Sequence, residues 1–127
     1  MRVAIVALLG IAGLGGLAAV TAPRRTCCFS ESKYDTTRIK ATKYAFEAYP
    51  SWSAAHPAQA CPARLSDLDE YMNSDDPNDA WGHPLTLKCG EDLPPGATGI
   101  AVTSAGEDGK EGTCDDIESW DPRHDCE

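Results

Sequence analysis

At 127 residues the chain has room for one small domain and an N-terminal segment, not for two separate cores. Its 20 Asp and Glu against 11 Lys and Arg give a formal net charge of −9, which argues against a nucleic-acid partner, since that would need a basic face. Six cysteines in so short a chain, with no Cys-x-x-Cys pair, point to an oxidising compartment rather than a cytosolic metal site.

Residues 3–22 carry no charge and are long enough to cross a hydrocarbon layer of about 30 Å as a helix. Gly10, Gly13, Gly15 and Gly16 weaken that helix but are tolerated in membranes. Two readings stand: a retained anchor, or a signal peptide cut at the small-x-small site Gly16-Leu17-Ala18. Arg2 on one flank and Arg24 and Arg25 on the other leave the orientation undecided by charge. The cysteines decide it, placing Cys27 onward outside the cytoplasm. The chain thus divides into a hydrophobic segment, 1–26, and an extracytoplasmic domain, 27–127.

Residues 32–49 read as an amphipathic helix. Ser32 is its expected cap, with Asp35 three residues on, and Pro50 its expected stop. Ile39, Thr42, Ala45, Phe46 and Tyr49 form the expected buried stripe, with Lys33, Arg38, Lys40, Lys43 and Glu47 elsewhere. Residues 51–63, with Pro57 and Pro62, read as a loop. A short helix is expected at 66–72, with Leu65, Leu68, Tyr71 and Met72 as its apolar side. Trp81 is expected to plug the core over the long helix, and His83 to be a simple turn residue. Residues 85–89 alternate apolar and polar, as a half-buried strand does. A second strand is expected at 98–104 and a short third one at 117–120.

Between those last two strands lies the most distinctive stretch, residues 103–117. Gly106, Gly109 and Gly112 recur every third residue, a spacing that suits repeated turns and positive φ. Glu107, Asp108, Glu111, Asp115 and Asp116 crowd the same loop. A hard cation would relieve their repulsion, and Ca2+ takes six to eight oxygens from carboxylates and carbonyls. A solvated acidic loop is the competing reading. An EF-hand is excluded, because counting from Asp108 puts Lys110, Gly112 and Ser119 where ligands belong. Cys114, His124 and Cys126 match no standard zinc spacing.

The run Ser104-Ala-Gly-Glu-Asp-Gly-Lys-Glu-Gly-Thr-Cys-Asp-Asp-Ile117, followed by Trp120, resembles the C-terminal end of the major pseudopilins of type II secretion systems. That family ends in Ser-x-Gly-x-Asp-Gly-x-x-Gly-Thr-x-Asp-Asp-Ile. Asp79-Ala-Trp-Gly-His-Pro-Leu85 is similar to the family's Asp-Pro-Trp-Gly-x-Pro-Tyr, with Ala80 and Leu85 as departures. Leu17-Ala18 and Pro23 resemble the end of a pilin N-terminal helix. The resemblance implies an α+β, pilin-like fold: a long N-terminal helix packed on a small antiparallel sheet, with a calcium-binding C-terminal loop. It implies Ca2+ held by Asp108, Asp115 and Asp116, with backbone carbonyls completing the shell. Those of Ala105 to Glu107 and around Gly112 are the candidates.

The function so implied is structural. Subunits of this kind polymerise into a short periplasmic filament, so the expected partners are copies of the chain, other secretion-system subunits and the membrane. The expected location is the inner membrane, single-pass, with the C-terminal domain in the periplasm. A monomeric anchored or exported calcium-binding domain is the alternative. The family's leader, Gly-Phe-Thr-Leu-x-Glu, does not precede residue 3, so a chain that assembles as a pilin is expected to start upstream of Met1. No Gly-x-Ser-x-Gly, phosphate loop or His-Glu-x-x-His occurs, and neither an enzyme nor a small-molecule substrate is expected. Of the fifteen possible cysteine pairings, Cys61–Cys89 and Cys114–Cys126 are favoured, leaving Cys27 and Cys28 near the membrane.

Overall fold

A computed structural model describes residues 29–122. The hydrophobic segment 3–22 and the tail with His124 and Cys126 lie outside the described residues. Among the described residues no helix is long and apolar enough to cross a membrane.

The helix is longer than the sequence suggests. It runs as α1, Phe29–Lys43, through a π turn at Tyr44–Ala48, and on as α2, Tyr49–Ala55. Two expectations are thereby corrected. Ser32 lies within the helix and is not its cap, and Pro50 does not end it. In the π turn the N–H of Tyr49 bonds to the Tyr44 carbonyl, five residues back. The ladder restarts there, and Pro50 falls in the opening turn of α2, where a missing N–H costs little.

The helix is also rotated from the expected stripe. Thr37, Ala41, Tyr44, Ala45, Ala48 and Trp52 are buried, whereas Ile39 and Phe46 are about half exposed, at 53% and 51%. Small Ala41, Ala45 and Ala48 share this buried face with the larger Tyr44 and Trp52. Trp52 is therefore the core tryptophan, stacked on His56 at 4.7 Å. Trp81 is only half-buried and is not among the buried core residues.

The short helix expected at 66–72 is a 3-10 helix at Leu65–Tyr71. It begins where the Asp67 carboxylate accepts the Arg64 N–H at 3.0 Å. Leu65 and Leu68 enter the core, with Tyr71 and Met72 packed partly buried against it. The sheet is antiparallel in the order β1-β2-β3, with β1 at Thr86–Cys89, β2 at Ile100–Ser104 and β3 at Ile117–Glu118. Leu87 faces Val102 across the first pair, and Ser104 faces Ile117 across the second. Chain entry into β2 requires Gly99 at φ 74°, because a Cβ there would meet the Tyr49 ring at 2.7 Å.

The pairing Cys61–Cys89 is present, tying the segment after the helix to β1. Cys114 is also disulfide-bonded, which removes it as a zinc ligand.

Candidate metal centre

The loop between β2 and β3 is closed at its base by the pairing of Ser104 with Ile117. Gly106, Gly109 and Gly112 take φ of 65°, 68° and 83°, the left-handed turns their spacing predicts. At Gly106 the requirement is absolute in space as well. A Cβ would lie 2.3 Å from the Asp115 carbonyl oxygen and 2.6 Å from its Oδ2.

The three aspartates expected as ligands come together, and Thr113 stands at their centre. Its hydroxyl lies 2.9 Å from the Lys110 carbonyl oxygen, 3.3 Å from Asp108 Oδ1 and 3.4 Å from Asp116 Oδ1, and it bonds Asp115 Oδ1. Backbone donors fix the carboxylates in this pose. Asp115 Oδ2 accepts the Asp108 N–H at 3.0 Å, and Asp116 Oδ2 accepts the Gly112 N–H at 2.6 Å. Asp108 Oδ1 accepts the Lys110 N–H at 2.8 Å. Partial burial disfavours the charge on Asp115, but the Thr113 hydroxyl and the N–H groups of Asp108, Asp115 and Glu107 outweigh it. They hold its pKa below the ordinary aspartate value.

Ala105 and Glu107 flank Gly106. Glu107 is exposed and lends its N–H to Asp115. The Gly106 carbonyl faces the other way and accepts from His83 Nδ1 at 2.9 Å, so it is engaged inside the protein. Glu111 accepts from the Thr86 hydroxyl at 2.9 Å.

Thr113 is the residue that sequence reasoning passed over, although the Gly-Thr-x-Asp-Asp spacing put it two and three positions from two candidate ligands. His83 is more than the simple turn residue expected, since its ring reaches the Gly106 carbonyl. Nothing in a lone turn histidine tells which carbonyl it will reach.

A family model described as type II secretion system (T2SS), protein G, matches residues 36–120, about two thirds of the chain. The chain belongs to the type II secretion protein G family. Comparisons with curated proteins and with solved structures returned no match. The protein G match takes in the helix from Thr36 onward, all three strands and the complete acidic loop.

Among the described residues of this protein G chain, no three His, Cys, Asp or Glu side chains already stand as a metal shell. The donor set nevertheless fits Ca2+. A hydroxyl has one proton to give, so Thr113 satisfies one of its neighbouring oxygens at a time. The remaining carboxylate oxygens and the Lys110 carbonyl form a hard, all-oxygen cluster, the kind of ligand set Ca2+ takes and Zn2+ does not require.

Proposed function

We propose that this chain is a structural subunit of a type II secretion pseudopilus, with its C-terminal loop stapled by one calcium ion. The family match over residues 36–120 carries the reading. Residues 3–22 would be its single inner-membrane anchor, with the domain from 27 onward in the periplasm. The Cys61–Cys89 bond fits that oxidising compartment.

Asp108, Asp115 and Asp116 would hold the ion, with the Lys110 carbonyl and the Thr113 hydroxyl as neighbouring oxygens. Bound Ca2+ supplies positive charge where three carboxylates converge, and so turns a repulsive loop into a rigid one. The residues themselves keep the loop's ends on β2 and β3 and aim the carboxylates through backbone N–H groups.

The filament reading is supported by the helix face that the domain leaves uncovered. Ile39 and Phe46, seven residues apart on the helix, are the exposed large apolar residues among those described, and Arg38, Thr42, Lys43 and Glu47 cluster around Ile39. Single apolar residues on a surface are ordinary, but two on one helix face give a copy of the chain something to pack on.

Melting curves test the calcium part. Saturating Ca2+ at a hundredfold excess over Kd stabilises by about 2–3 kcal/mol. Chelator is therefore expected to lower the melting temperature, and Asp116→Ala to abolish that response. Identical curves with and without Ca2+ would contradict the proposal.

A further inference from the structure

The acidic loop rests on side chains outside it. Asp79, in the turn before β1, has a side chain with no solvent exposure. A carboxylate in that position is costly unless donors surround it. Three do. Its Oδ1 accepts the N–H of Trp81 at 2.9 Å and of His83 at 2.8 Å, and its Oδ2 accepts the Ser104 hydroxyl at 2.6 Å.

The turn and the end of β2 then grip Gly106 at both polar groups. Ser104 Oγ, having given its proton to Asp79, accepts the Gly106 N–H at 3.0 Å. His83 Nδ1 lies 2.9 Å from the Gly106 carbonyl oxygen. That oxygen has no proton to give, so the proton sits on Nδ1. The imidazole also lies against Gly109, where a Cβ would come within 3.0 Å of Nε2. On its other side Gly106 presses on Asp115, with no space for even a methyl group between them. The Gly106 peptide is thus clamped between the 79–83 turn and a candidate calcium ligand.

We propose that Asp79, His83 and Ser104 are positioning residues that preset the acidic loop for its cation, so that the 79–83 turn governs calcium affinity without touching the ion. The inference rests on the calcium reading above. Groups that orient ligands through hydrogen bonds change metal affinity by about 10–100-fold when removed. Here the lever is the Gly106 peptide. Released from His83 or Ser104, it no longer fixes Asp115 against the turn, and the loop must order itself on binding.

The experiment is calorimetric titration of CaCl2 into the full-length chain in mild detergent. His83→Ala and Ser104→Ala are each expected to weaken Kd about tenfold or more. His83→Asn, whose amide nitrogen takes the place of Nδ1, is expected to bind like the parent within about threefold. Thr86→Val removes the hydroxyl that bonds Glu111, outside the clamp, and is expected to leave Kd unchanged. A merely structural role would show as a lower metal-free melting temperature with Kd preserved, and that result would overturn the proposal. Should Ser104→Ala not fold, the partly exposed His83 decides through its Ala and Asn variants. A parent chain that takes up no Ca2+ ends the calcium reading and this proposal with it. A parent that binds, with His83→Ala binding equally well, overturns the clamp alone.

Discussion

Tyr44 illustrates how a single buried group ties stability to pH. Its ring is fully buried in the π turn, and its hydroxyl donates to Asp69 Oδ1 at 2.9 Å. Burial first, then the hydrogen bond to Asp69 and the charges of Asp69 and Asp76, push its pKa well above the ordinary 10.0. A raised pKa contributes stability that is complete below 10.0 and is lost as pH rises toward the folded value. Tyr44→Phe is expected to cost about 1 kcal/mol near neutral pH through the lost hydrogen bond, and to flatten the loss of stability above pH 10. Denaturant midpoints across the alkaline range check both. At this scale the sequence spoke plainly only where chemistry was crowded. Asp108, Asp115 and Asp116 are singled out by the family resemblance, and the folded loop brings their carboxylates around Thr113. Thr113 and His83 were not legible, because their roles depend on which oxygens the folded loop brings within reach.

Elements were legible in kind and less so in orientation. The strands fall within two residues of where alternation put them, since period two leaves little freedom once one face is buried. The helix was misread by rotation. Counting large apolar residues set Ile39 and Phe46 beside Ala45 on the expected stripe, whereas Ala41, Ala45 and Ala48 are the buried positions and Ile39 and Phe46 stay half exposed. Proline misled for a related reason, because a π turn removes the penalty that would end an α-helix at Pro50. The 3-10 turn shows the packing most economically. Leu68 is fully buried among the helix and the strands. Leu68→Ala is expected to destabilise by about 2–5 kcal/mol, and Leu68→Met by less than about 1.5 kcal/mol, read from urea midpoints.

For the molecule as a whole, a disulfide staples one end of the sheet, and a calcium staple is proposed for the other. The Cys61–Cys89 bond closes a loop with a sequence separation of 28. In the chain-entropy view this is about 3–4 kcal/mol. A Cys61→Ser, Cys89→Ser double variant is therefore expected to melt well below the parent, while a reducing agent moves the parent toward it. The second staple is the proposed calcium at the far side of the sheet. Among the described residues the exposed large apolar side chains are Ile39 and Phe46, and in the proposed filament neighbouring copies would pack on that helix face. The most direct measurement is photocrosslinking in cells that carry the matching secretion system, with a benzophenone amino acid in place of Phe46. A ladder of monomer-sized steps is expected, which disappears when the same probe replaces buried Ala48. A single monomer band from position 46 would contradict the filament reading.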